Sequence, residues 1–183
     1  IIFNKRSENQ IMDENLKERL LLIKKLGELS LIKAEFIKSR PDLKFDYINI
    51  NGPKEGEILD VGLWLAPYLA ERGLIKVELE DFETEVFNSL NKEKMLGPHQ
   101  IGPLPQDFYQ KFNLYTKLKK DDQRVKMYVY DLIKLRVNKI VQMALKGVEQ
   151  EKLADALTPE ETALYLTIKK EVEEWYSLAF SEG

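Results

Sequence analysis

Residue types able to do chemistry are few in this chain, and their spacing does not assemble them. There is one histidine, His99, and no cysteine. Thiolate nucleophiles, disulfide frameworks and cysteine-based zinc sites are therefore excluded. His99 lies in the Gly/Pro-rich run NKEKMLGPHQIGP with no acidic partner or nucleophile nearby in sequence, so it reads as a loop or interface histidine, not a general base. The acidic pairs Asp121/Asp122, Glu160/Glu161 and Glu173/Glu174 are sequence neighbours. On a helix such neighbours diverge by about 100°, so they read as caps and solvated faces, not as a carboxylate dyad. GPKEGE is phosphate-loop-like in composition only, because it lacks the Gly-Lys-Ser/Thr ending that brings lysine and hydroxyl to phosphate and Mg²⁺. GxGxxG, HExxH and GxSxG are absent. These observations predict no enzyme, no catalytic residue, no cofactor and no metal site.

The 183 residues are 44% hydrophobic and 32% charged, ordinary for a globular protein, with a net charge of −3. No apolar run approaches the roughly 20 residues of a membrane span, and IIFNKRSENQ lacks the apolar core of a secretory signal. The expectation is a cytoplasmic protein without a membrane. Charge is segregated: residues 1–40 carry +3, residues 41–103 carry −6, residues 111–146 carry +7 and residues 147–183 carry −6. Two readings fit the last pair. Oppositely charged antiparallel helices could face each other, or the basic stretch 111–146, interleaved with Tyr115, Tyr128 and Tyr130, could steer and stack on nucleic acid. The second reading makes the chain a nucleic-acid-binding helical module. A third class, a small-molecule binder, would require a deep apolar pocket with convergent polar groups.

Periodicity predicts a mainly α protein with a small β-rich α/β domain in its centre. A helix is expected from Asp13 to Lys38, capped by Asp13, with Leu16, Leu20, Ile23, Leu26 and Leu29 as its stripe and Leu22, Ile32, Phe36 and Ile37 widening it; Arg40-Pro41 would end it. LKFDYINI and EILDV read as strands of a hairpin about Asn51-Gly52 and Gly56. LWLAPYLAERG reads as a short helix with Pro67 in its first turn and Gly73 past its end, followed by a strand over Ile75–Leu79. Such a unit of about 40 residues is near the lower limit of independent stability and must lean on another surface.

DFETEVFNSL is a short helix, and NKEKMLGPHQIGP is the connector. Beyond it, PQDFYQKFNLYTKLKK carries Phe108, Phe112, Tyr115 and Leu118 on one face, with Pro105 in the first turn. Asp121 or Asp122 caps a long helix whose seam includes Val125, Val129, Leu132, Ile133, Val137, Ile140 and Ala144, with Gly147 as its stop. TPEE is a capping box, Thr158 at the N-cap and Glu161 at N3, opening a helix striped by Leu164, Tyr165, Ile168, Val172, Trp175, Tyr176 and Ala179. The expected organisation is an N-terminal helical extension at 1–42, a small β domain at 43–80, a short helix and linker at 81–103, and an α-helical assembly domain at 104–183. Trp64 and Trp175 are either core or aromatic interface anchors.

Several runs together resemble GINS complex subunits. GPKEGEILDVGLWLAPYLAERGLIKVEL is similar to the family's small β domain. Leu104, Pro105, Phe108 and Tyr109 are similar to the opening of its first long helix, and VYDLIKLRVNKIVQMAL and LTPEETALYL match its later pattern. The order, β domain first, is that of an archaeal subunit class. The resemblance implies a non-catalytic scaffold of the DNA replication complex. It would assemble with another GINS subunit in a two plus two tetramer and link to the MCM helicase and a RecJ/Cdc-like factor at the replication fork. Direct DNA contact would be weak. Phe108, Tyr109, Phe112, Tyr115, Val129, Leu132, Val137, Ile140 and Trp175 would be core or interface residues, and Trp64, with Leu65, would anchor the helix of the β domain. Two departures stand out: the helix before the β domain, and Gly62 at a position usually filled by proline or another non-glycine residue. If the stripes face neighbours, the isolated chain should self-associate or be poorly soluble.

Overall fold

The computed structural model describes residues 15–45 and 49–180, the Glu80 side chain excepted. It is mainly helical with a small antiparallel sheet. Helix α1 spans Leu16–Glu28, capped by Asn15, whose side chain accepts the Glu18 N–H at 3.1 Å. The cap expected at Asp13 lies outside the described residues. The helix also ends ten residues short of the expected Lys38. Turn bonds from Leu29 N–H to Leu26 O and from Ser30 N–H to Gly27 O close it. Strand β1, Leu31–Phe36, follows. There the burial period changes from helical to alternating: Ala34 and Phe36 are buried, Lys33 and Glu35 exposed. Ile32 and Phe36, four apart, satisfy a helical stripe and one face of a strand equally well, which is why the sequence misleads here.

The expected hairpin is also corrected. LKFDYINI divides into β2, Leu43–Lys44, and β3, Asn49–Ile50, which pair only with each other; Tyr47 and Ile48 lie outside the described residues. Strand β4, Ile58–Gly62, pairs instead with β1, from Leu31↔Gly62 to Glu35↔Ile58. Helix α2, Ala66–Glu71, has Pro67 in its first turn, and Gly73 at φ +63 turns the chain into β5, Ile75–Val77. β5 pairs with the other edge of β1, giving the order β4-β1-β5. The misread segment is thus the central strand. Gly62, the departure noted above, lies beneath Trp64: a Cβ there would stand 2.8 Å from Nε1 of its indole.

Helix α3 runs Glu80–Met95, sixteen residues, through the NKEKM expected to be connector. Lys, Glu and Met are good helix formers, and Glu93 is drawn inward by buried cations, so the connector begins only at Leu96. Helix α4 spans Phe108–Leu118; Pro105 precedes it, outside the first turn, its carbonyl accepting the Phe108 N–H. Helix α5, Gln123–Leu145, is about 35 Å long at ~1.5 Å per residue. Asp122 caps it, accepting from Arg124 and Val125 N–H at 3.0 and 3.2 Å. Gly147, at φ +65, follows its end. After a 3-10 turn at Gln150–Lys152, helix α6 spans Pro159–Ala179 with the capping box of Thr158 and Glu161 in place.

One continuous core joins the sheet and α2 to the bundle, from Ala34, Phe36, Val61 and Leu69 through Phe82 and Leu90 to Phe108, Tyr115, Val129 and Leu132. A second cluster, with Ile140, Met143, Leu157 and Tyr165, holds the far end of α5 against α6.

Two outcomes follow from this packing. Phe108→Ala removes a fully buried ring and should cost about 3–5 kcal/mol in denaturant unfolding, whether or not other chains are present. The second concerns pH. The Tyr115 hydroxyl, 2.6 Å from Asp122 Oδ2, and the Val125 N–H hold the Asp122 carboxyl below its ordinary 3.8. A depressed carboxylate stabilises the fold above its unfolded value and loses that effect as pH falls through the folded one. Asp122→Ala should therefore be less stable than wild type at neutral pH, with the gap closing below about pH 3.8 in urea titrations.

Candidate assembly surface

Arg136 fixes the frame on which any outer surface is carried. It lies four residues after Leu132 and four before Ile140, on the buried face of α5, and its side chain is 1% exposed. All five guanidinium donors are used. Nε and Nη2 grip the Glu161 carboxylate at 2.6 and 2.7 Å, a bidentate fork. Nη2 also donates to Ala156 O at 2.9 Å, and Nη1 donates to Glu93 Oε2 at 3.0 Å and to Gly102 O at 2.5 Å. Lys139, one helical turn on, donates to Glu93 Oε1 at 2.7 Å and Glu93 O at 2.9 Å. Burial opposes charge on Arg136, but the Glu161 hydrogen bonds and the attraction of Glu161 and Glu93 outweigh it and hold its pKa above the ordinary arginine value. Burial and the neighbouring Glu161 charge push the Tyr109 phenol up as well. Glu161 thus serves twice, as the N3 residue of the α6 cap and as the anchor of α5.

What this frame presents outward is an aromatic tip preceded by the exposed glutamates Glu171, Glu173 and Glu174. From Glu171 to Phe180 every residue except Val172 is exposed, so the last turns of α6 run past the core. Trp175, 60% exposed, packs edge-on to Tyr176 and Phe180 at centroid distances of 5.3 and 5.9 Å, and Leu178 is exposed beside them. Helix α1 packs against α6 and buries none of its residues, leaving Leu21, Leu22, Leu26 and Leu29 open. Exposed large apolar groups of this kind are candidates for contact with another molecule.

The residues singled out in the sequence separate into distinct groups. Phe108, Tyr115, Val129, Leu132 and Ile140 are buried within the chain; Tyr109, Phe112 and Val137 are half-buried. Trp175 is exposed, and Trp64, 40% exposed, meets Phe45 edge-on at 6.4 Å. The basic stretch is largely engaged internally. Arg136 and Lys139 are buried, Lys111 pairs with Asp107, Lys120 with Glu71 and Arg124 with Glu83. Lys146 sits 3.0 Å from His99 Nε2. The Arg136–Glu161 pair is a contact of the kind expected where the basic and acidic helices face each other, and the burial of Arg136 could be read from its place on the apolar seam. Among the described residues no group of His, Asp and Glu has the arrangement of a metal site, and no helix is long and apolar enough to cross a membrane.

Residues 73–180 match the GINS complex protein helical bundle domain. The match covers more than half of the chain, running from Gly73 through β5 and all four long helices of the bundle. The chain belongs to the GINS family. It is thereby a subunit type of a DNA replication complex, from a family of non-catalytic scaffold subunits, and its expected partners are other GINS subunits. No curated protein matches the chain significantly. In this GINS subunit the matched span contains the Arg136 network and the exposed end of α6, while α1 and β1–β4 lie upstream of it.

The network makes a specific demand. Arg136→Ala leaves Glu161 buried without its ion-pair partner and Glu93 with Lys139 alone, and should destabilise the fold by about 3–5 kcal/mol in urea titrations. Arg136→Lys should rescue little of that loss, because three donors on one nitrogen cannot reproduce a planar five-donor fork.

Proposed function

We propose that this GINS subunit is a non-catalytic scaffold that assembles with sister GINS subunits through the outer end of α6, with the exposed leucine face of α1 as a second contact surface. The observation carrying this reading is the aromatic cluster Trp175, Tyr176 and Phe180, held out on a helix whose first half is anchored by buried ions. Residues 104–183 act as the assembly half, in a two plus two tetramer of the archaeal class whose β domain precedes the bundle. The small β domain at 43–80, completed by β1, is presented to the MCM helicase and a RecJ/Cdc-like factor. That part of the reading rests on the motif resemblance. The nucleic-acid alternative at 111–146 has less support, since the ion pairs described above lower the outward positive field.

The test is co-purification with a sister subunit followed by native mass measurement. Trp175→Ala with Phe180→Ala should weaken assembly by about 2 kcal/mol or more, the scale of lost aromatic anchors, while the urea midpoint of the isolated chain stays unchanged. Full assembly by the double variant would move the interface elsewhere.

A further inference from the structure

Helix α1 buries none of its residues, and Ile23, Leu26 and Gly27 meet Gln106, Asp107 and Gln110 at the start of α4 and Pro159 of α6 around a shallow groove. Gly27 rests directly on Gln110: a Cβ there would stand 2.4 Å from Cγ of that side chain. Gln110 in turn donates from Nε2 to Glu160 Oε1 at 2.8 Å, in the first turn of α6. The remaining oxygens of this pair do not match. Gln110 Oε1 and Glu160 Oε2 are both buried, and neither has a hydrogen-bond partner among the described residues. Two buried acceptors left without donors are costly. One proton answers both, because on Oε2 it makes the acid a donor and gives Gln110 Oε1 the bond it lacks. Burial holds the Glu160 carboxyl above its ordinary 4.5 and the Glu161 charge adds to this, against its own backbone N–H, the Thr158 hydroxyl and the Gln110 amide. The other charges facing the pair are engaged or balanced. Glu161 is held by Arg136 at 2.6 Å and Asp107 by Lys111 at 3.2 Å. Lys24 and Glu28 of α1, opposite in sign, line the adjoining groove beside Gln110 together with Lys117.

We propose that Glu160 carries a proton while α1 is seated and donates it from Oε2 to Gln110 Oε1, so that a closed acid–amide pair latches α1 to the bundle. The latch shares no residue with the aromatic tip of α6, and its failure would leave the assembly reading standing. The seated state holds the proton more tightly than the unseated one, so α1 is bound most firmly below pH 4.5 and less firmly as pH rises from there through the raised value. The test is a titration of the full chain followed by the ¹³Cδ shift of Glu160, with amide exchange of residues 16–28 read against α5. The Glu160 midpoint is expected above 4.5. Glu160→Gln supplies the missing donor at every pH, and should protect α1 about fivefold more than wild type at pH 7, the worth of one hydrogen bond. Gly27→Ala forces α1 and Gln110 apart and should bring the Glu160 midpoint down toward 4.5, since the coupling is reciprocal. A wild-type midpoint at or below 4.5, α1 protection unchanged or lowered by Glu160→Gln, or a midpoint unmoved by Gly27→Ala overturns the proposal.

Discussion

The guanidinium of Arg136 sits where α3, α5, α6 and the two connectors beside them meet, and it satisfies all of them at once. Two carboxylates and two backbone carbonyls receive its five donors. A buried ion of this kind contributes little net stability compared with an apolar side chain of similar volume, since desolvation offsets most of the attraction. What it does impose is register. Glu161 reaches Arg136 only with α6 starting at Thr158, and Glu93 reaches it only with α3 continued past Leu90. Slippage of either helix would strand a buried charge, whereas an apolar seam would tolerate it more readily.

That constraint explains how charge is distributed through the molecule. The basic middle and acidic end of the bundle sequence are partly consumed at their contact, through Arg136 with Glu161, while Glu93 from the acidic segment before them neutralises Lys139. Tyr115 does similar work at the other end of α5, its hydroxyl lying 3.0 Å from Glu83 and 2.6 Å from Asp122. With these charges turned inward, the tip of α6 beyond Glu174 carries the aromatics Trp175, Tyr176 and Phe180. A rigid frame with an apolar projection suits a part that joins other parts.

Much of the bundle was legible in the sequence, because its signals are local. The capping box at Thr158, the Asp122 cap and the glycine stop at Gly147 each depend on a few adjacent residues. The sheet was harder to read. β1 gains its identity from β4 and β5, more than twenty residues away, and the spacing of Ile32 and Phe36 serves a helix as well as a strand. The end of α3 was hidden for a related reason: Glu93 looks like a surface residue until Arg136 and Lys139 are brought to it. Interface and core residues also look alike in sequence. Leu132 and Trp175 both sit on apolar stripes, yet the first is sealed in the core and the second is 60% exposed. Burial is a property of neighbours, which periodicity does not identify.

A sister chain is proposed to complete the outer turns of α6. Amide hydrogen exchange over residues 171–180, measured in the isolated subunit and again in the assembled GINS complex, tests this most directly. Fast exchange alone and strong protection in the complex is the predicted result. Unchanged exchange in a complex verified by native mass would contradict it.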